Sequence, residues 1–494
     1  MRILALLIAL IVSWSSLVSA QIQQAWVAKY NNNGIPNGNH QALKMALDSA
    51  GNIYVLGVSE NANTNTGYVV VKYAPNGNQI WAARYDSTNF PTASPTGFAL
   101  DSSNAVVVTG NAVTAKYDAN GNPLWTAPYN ASAIAIDSRR NVCITDVSSN
   151  FLTMKLSPTG SNIWSETWTY QGLANEGQII AVDNSNNVYV AGMQTENIPR
   201  TSYQNVGLLK YDPNGNGLWA RSFGGGPIAG PTVVGLAVAG DESVYIEFNF
   251  ATGLGDVSGY ETSRVNLDGS EAWNNNNPTG SFGSVSHGLA LDNKGNVLVT
   301  GGYGYAAPMA FTYLTYKLDT NGSYVWTNFY PTNPSGNCST TAIIADQDDS
   351  WYVTGSFTNV ISGDDIVTIK YDSNGNQKWV QEYDGPAHRN DAGNAIAVDN
   401  SGNVYVAGYE TETNGFTSMI LIKYSSVSGQ KQSNGNFILH ASGSPGESFD
   451  IQASTNLQSW QDLGSVIADT NGIALFEDTN APLFPVRFYY TIPK

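Results

Sequence analysis

From Ala25 onward apolar and polar residues alternate in short runs, each closed by Asn, Asp, Gly or Ser. A period of two over about four to eight residues predicts half-buried β-strands joined by tight turns. The pattern repeats. One unit reads AIAVDNSGNVYVAG (Ala395 to Gly408), then ILIKY (Ile420 to Tyr424); the unit before it supplies a complete second half, IVTIKYDSNGNQKWVQEY (Ile366 to Tyr383). Alignment on the residue after the first strand gives Asp48, Asp101, Asp137, Asp183, Ala239, Asp292, Asp346 and Asp399, hence eight units.

Two further columns agree with that count. A basic residue recurs in the third strand as Lys72, Lys116, Lys155, Lys210, Arg264, Lys317, Lys370 and Lys423. Nine positions after the first seven stand Trp81, Trp125, Trp164, Trp219, Trp273, Trp326 and Trp379. No Trp follows Lys423; an orphan copy of that strand, AWVAKY (Ala25 to Tyr30), stands ahead of the first unit instead. The first strand of each unit carries large residues on one face (Met45/Leu47, Ile134/Ile136, Ile396/Val398) and mostly alanine on the other (Ala46, Ala135, Ala397). Large facing small lets neighbouring sheets interdigitate around a narrow axis.

Four strands per unit predict an all-β fold: an eight-bladed β-propeller over residues 21–424, closed by the N-terminal strand. Turns such as Asp48–Asn52 and Asp118–Asn122 are Asx-type hairpins on one face of the ring. Longer connections, such as that expected at Met193–Asn205, belong to the opposite face, where a site is expected. Residues 425–435 are rich in Ser, Gly and Gln and predict a linker. Residues 436–494 then read as about five short strands, a small β-sandwich-like module.

The units resemble the SBBP family of bacterial β-propeller repeats, which DNSGNVYVAG and KYDSNGNQKW here match in pattern over roughly Ala25 to Tyr424. That resemblance implies a propeller and no particular activity; the family is usually described as seven-bladed, against eight units here. The C-terminal stretch Ile451 to Trp460 looks like a module found on varied exported bacterial proteins.

Composition changes the picture at the ends and on the surface. Arg2, the apolar run Ile3 to Val12 and the small residues ending Val18-Ser19-Ala20 predict an export signal over residues 1–20, leaving Gln21 first. No later run is long and apolar enough for a membrane span. A net charge of −17, with only 12% charged residues, disfavours nucleic acid, whose phosphates need Lys and Arg. Cys143 and Cys338 fall in different units, so no disulfide framework is expected.

Most candidate chemistry has a packing explanation. The Trp column could offer carbohydrate platforms, but its strict repetition favours core packing. The Lys/Arg column should pair with turn carboxylates within each unit. The Asp-x-Asn-Gly-Asn turns lack the rest of a calcium loop. Asp-box sialidase hairpins and quinoprotein dehydrogenases space Gly and Trp differently, and no quinone constellation is found. No cofactor and no metal ligand set is assigned.

What departs from the repeat lies near the expected axis. His287 shares a column with Thr96, Ser132, Gln178, Thr341 and Asn394, and Lys44 is the one charge in a neighbouring column of Gly97, Ala133, Ile179, Gly235, Gly288, Ala342 and Ala395. Loop carboxylates Asp364, Asp365, Glu410 and Glu412 could join them, and Trp460 stands alone in the C-terminal module. The expectation is an extracellular binding scaffold for a glycan or protein partner, with Lys44, His287, Gln178, Asn394, Asp364, Asp365 and Trp460 as candidate contacts. The alternative is an enzyme at the channel mouth: a polysaccharide lyase, a glycosidase or a quinoprotein-like protein.

Overall fold

The computed structural model describes residues 18–30, 38–87, 91–146, 150–169, 175–198, 201–226, 231–251, 258–276, 284–305, 310–331, 338–359, 362–443, 446–456, 458–470, 472–484 and 487–493. The expected export signal lies outside them up to residue 17. Apart from one 3-10 turn at Ala481–Leu483, the regular structure is strand. Seven four-stranded antiparallel sheets follow one another in sequence, then a six-stranded sheet, then a three-stranded one.

The first strands of sheets one to eight are His40–Leu47, Pro95–Leu100, Ala133–Ile136, Asn175–Val182, Thr232–Val238, Ser284–Leu291, Cys338–Ala345 and Ala392–Val398. Each touches the first strand of the next sheet, and His40–Leu47 touches Ala392–Val398. A separate apolar core fills each space between neighbouring sheets. The core between sheets eight and one joins Tyr405, Ala407 and Leu421 to Val55, Val69 and Val71; that between seven and eight joins Tyr352 and Ile366 to Val406 and Ile420. Cys143 and Cys338 are buried, unbridged and in different cores.

The first turn explains the Asp column. Asp48 Oδ1 accepts from the backbone N–H groups of Ala50 and Asn52 at 3.0 and 2.9 Å, and Oδ2 from the Asn52 amide at 2.8 Å and the Tyr54 hydroxyl at 3.3 Å. Lys72 approaches the same oxygen at 3.8 Å, and the buried pairs Lys116–Asp101, Lys155–Asp137 and Lys317–Asp292 close to 2.7–2.9 Å. Sheet five departs twice, and the departures compensate. Where Ala239 replaces the acid, Asp241 supplies it two residues later, and the longer Arg264 reaches it at 2.7 Å.

The Trp column joins one sheet to the next. Trp81 Nε1 donates to the Ala119 carbonyl at 3.0 Å, Trp125 to Pro158 at 2.9 Å and Trp273 to Thr320 at 2.9 Å, each in the last hairpin of the following sheet. The hairpin glycine lies on the indole face: a β-carbon on Gly121, already at φ +84°, would come within 2.8 Å of Trp81. Trp26 does the same for Gly77 of sheet one. Its strand, Val18–Tyr30, pairs antiparallel with Thr417–Lys431 of sheet eight and sets Trp26 opposite Lys423, as Trp81 stands opposite Lys72. The orphan strand is therefore the outer strand of sheet eight.

Two expectations about connections are corrected. Residues 425–431, expected in a linker, continue the strand Thr417–Lys431, and Val427–Lys431 pair with Phe437–Ala441. A Ser- and Gly-rich segment stays extended here because strands on both sides satisfy its backbone groups. The long loop expected at Met193–Asn205 is mostly a hairpin, paired out to Ile198 and Thr201.

The C-terminal residues form five strands. Phe437–Ser442 and Ile473–Asp478 extend sheet eight, while Ser448–Ser454 pairs with Gln461–Ile467 and Phe488–Pro493. Phe437, Leu439, Phe449, Ile451 and Tyr489 form a core between these two layers. Lys423, the eighth of the basic column, is fully buried and pairs at 2.7 Å with Glu447 of this region.

Candidate functional site

The column containing His287 is a column of β-bulges. In seven of the eight first strands one residue has no partner opposite it: Leu43, Thr96, Gln178, Val234, His287, Thr341 and Asn394; Ser132 occupies the same place just before Ala133–Ile136. A bulge re-aims its side chain. Here the polar ones reach the following sheet. Thr96 Oγ1 donates to the Ala131 carbonyl at 2.5 Å, Ser132 Oγ to Gly177 at 2.5 Å and Asn394 Nδ2 to Ala42 at 2.8 Å, while Gln178 Oε1 accepts from Val233 N–H at 2.8 Å. Thr341 does the same to Gly393. His287 Nδ1 lies 3.3 Å from Thr340 Oγ1, and burial lowers its pKa. Gln178, Asn394 and His287 thus join sheet to sheet. Sequence reasoning grouped the polar members of this column but missed the bulge, which Leu43 and Val234 share without a polar side chain.

Lys44 behaves differently. It follows the bulge in sheet one, opposite Leu56, and is the only Lys or Arg in the eight first strands. Its side chain is exposed, yet the surrounding protein desolvates the ammonium enough to lower its pKa, with no carboxylate acting on it. Lys44 and His287 belong to sheets one and six and form no pair.

The loop carboxylates are mostly strand residues. Asp364 and Asp365 lie in Gly363–Tyr371 of sheet seven, and Glu410 in Val404–Thr411 of sheet eight. Asp364 Oδ1 accepts from Thr358 at 2.6 Å. Glu410 is buried and held by Lys29 of the N-terminal strand and by the Tyr383 hydroxyl; Glu412 lies 3.6 Å from Lys29.

Asp365 instead meets two acids that sequence reasoning passed over. Oxygens of Asp365, Asp384 and Asp391 all lie within 4.8 Å of one another. Asp391 is fully buried, accepts from the N–H groups of Gly385 and Thr411 at 2.6 and 2.9 Å, and has its pKa raised to about 6 by burial and by the charges of Glu410 and Asp384. Asp365 Oδ2 accepts from Ser362 at 2.8 Å and Asn359 at 3.2 Å, while its buried Oδ1 has no donor. Burial raises its pKa as well. Asp384 is the exposed member, 2.5 Å from His388 Nδ1. The available signal was Asp391 itself, the one acid at a position held elsewhere by His40, Ala93, Tyr129, Asn175, Pro231, Ser284 and Cys338.

Trp460, in the C-terminal region, packs 6.0 Å from Tyr490. A cleft of about 840 Å³ opens on the turn side rather than the side of the longer connections, lined by Asp48–Gly51, Val398–Ser401 and Thr470. No helix among the described residues is long and apolar enough to cross a membrane.

Successive four-stranded sheets with a repeated Asp, Lys and Trp framework define a β-propeller-repeat protein. Residues 385–415 match the SBBP family, described as a beta-propeller repeat. The curated proteins give no match. Among solved structures, a Bacteroides caccae protein of unknown function is 11% identical, with 70% of this chain and 94% of that one covered and a TM-score of 0.33. The extracellular domain of a putative hybrid two-component system from B. thetaiotaomicron is 10% identical over 87% of this chain and 68% of that one, TM-score 0.29. A Xanthomonas campestris gluconolactonase is 11% identical over 72% and 90%, TM-score 0.31. At such values none of them carries an activity over to this chain.

Proposed function

We propose that this protein is an exported, eight-bladed β-propeller that binds an anionic ligand at its axial opening. In this reading residues 1–20 direct export, residues 21–424 close into one ring through the N-terminal strand, and residues 436–494 form a module fixed to the last blade. Cores between every pair of neighbouring sheets, the last and first included, support the ring.

One observation carries the binding reading. Every basic residue of the repeat column meets a carboxylate, whereas Lys44, on a first strand, is exposed, partly desolvated and without one. A lone ammonium in a partly dehydrated setting favours an anionic partner, such as a uronate or sulfate of a glycan or an acidic patch of an extracellular protein. The polar bulge residues around it hold the sheets together and leave Lys44 as the charged contact.

Uronate and sulfated oligosaccharides and acidic peptides should be titrated calorimetrically against the full chain and Lys44→Met. An acidic ligand is expected to bind, and Lys44→Met to weaken it at least about tenfold, the loss of one charge-assisted hydrogen bond. Equal binding by the variant, or binding of neutral glycans alone, would overturn the reading. An enzyme at the same opening draws support from the lowered pKa values of Lys44 and His287; turnover of a bound glycan, lost in Lys44→Met, would select it.

A further inference from the structure

We propose that Asp365, Asp384 and Asp391 bind a single divalent cation, calcium by its ligand chemistry, at the junction of sheets seven and eight. Three carboxylates offer oxygens within 4.8 Å of one another, from three separate pieces of chain. Asp365 comes from the third strand of sheet seven, Asp384 from just after its fourth strand, Gln377–Tyr383, and Asp391 from just before the first strand of sheet eight. One ion would tie both sheets and the connection 384–391 together.

A cluster of acids alone would not make a site. The second observation is the Asp365 side chain: it is 3% exposed, and its Oδ1 is buried with no hydrogen-bond donor. A buried carboxylate oxygen without a donor, on a side chain grouped with two more carboxylates, is an acceptor that a cation would satisfy. One nearby positive group serves elsewhere, and the other hydrogen-bonds only the exposed acid. Lys29 pairs with Glu410 and Glu412, and His388 lies on the solvent side against Asp384. Asp384 gives an ion a path from solvent.

The donors are all oxygen, which selects a hard cation. Calcium takes six to eight oxygens in irregular arrangements and fills the remainder with water or carbonyls, whereas magnesium demands near-octahedral geometry. The ion would neutralise charge that the fold otherwise leaves repelling. This site is independent of the binding reading at Lys44.

The test uses the full chain, stripped with EDTA, dialysed and titrated with calcium chloride in a calorimeter. One ion per chain is expected, with a dissociation constant on the order of 10⁻⁴–10⁻³ M as in extracellular calcium modules, and a higher melting temperature at about 5 mM calcium. Asp365→Asn and Asp384→Asn should each weaken binding at least about tenfold. Asp384 is exposed, so its variant reads out binding even if Asp365→Asn folds poorly. Asp118→Asn, in a repeat turn, should bind calcium like the wild type. No calcium heat, wild-type binding by Asp384→Asn, loss in Asp118→Asn, or a response to zinc but not calcium would each overturn the proposal.

Discussion

Glu247 occupies the place that threonine holds in four other sheets. It stands opposite Gly235, as Thr109 stands opposite Gly97, Thr145 opposite Ala133, Thr300 opposite Gly288 and Thr354 opposite Ala342. In three of those sheets a hydroxyl pair crosses to the third strand, such as Thr109 to Thr114 at 2.7 Å, and Thr145 donates to the Leu152 carbonyl at 3.1 Å instead. In sheet five Thr262 hydrogen-bonds the Glu247 carboxyl, which is fully buried with its Oε1 unpartnered. Burial raises its pKa to about 8. The folded state therefore holds a proton that the unfolded chain releases near pH 4.5. Stability from this group is complete below pH 4.5 and is lost as pH rises towards 8, at about 1.4 kcal/mol per unit. Urea melts at about pH 5 and about pH 8.5 should show the wild type weakening by a few kcal/mol across that window and Glu247→Gln losing most of the slope. Parallel slopes in the two proteins would show that the carboxyl does not titrate there.

At the scale of the element, the unit of stability is the contact between a fourth-strand Trp and the next sheet's hairpin. Trp81 stacks on Gly121 and donates to the Ala119 carbonyl. Gly121→Ala would place a β-carbon 2.8 Å from the ring at φ +84°, so backbone strain alone should cost about 1–3 kcal/mol. Trp81 is partly buried, so Trp81→Ala should cost about 2–3 kcal/mol, below the range for a fully buried aromatic. The double variant should cost less than the sum, because the indole that the added β-carbon would strike is gone. Additive losses in urea unfolding would mean that the two residues act independently.

For the whole molecule the edge of sheet eight matters most. Strand Val18–Tyr30 covers Thr417–Lys431 from Met419 to Gly429. Deleting residues 21–30 uncovers that edge and removes Trp26 from Gly77 and Ile22 from the core between sheets seven and eight. An exposed edge pairs with other chains. The truncated protein should melt earlier and associate in size-exclusion chromatography; a monomer with the full-length melting temperature would show that the strand is dispensable.

Local rules fixed what the sequence by itself could determine. Strand period, Asx turns and the spacing from Lys to Trp depend on neighbours a few residues apart, so the four-stranded unit, its recurrence and the pairing of the orphan strand were legible in the residues. Ala239 and Arg264 stood out as exceptions, and the structure joined them through Asp241. What only the tertiary structure decided depends on chain segments distant in sequence. The bulge column is visible only once the first and second strands are in register, and it turns Gln178, Asn394 and His287 from candidate contacts into links between sheets. Residues 425–431 carry a linker's composition but become strand because two other strands satisfy their backbone. Asp365, Asp384 and Asp391 converge although 26 positions separate the first from the last, because sheets seven and eight pack together there. Composition and periodicity record what each residue prefers locally; burial and proximity of charge arise only when the sheets meet.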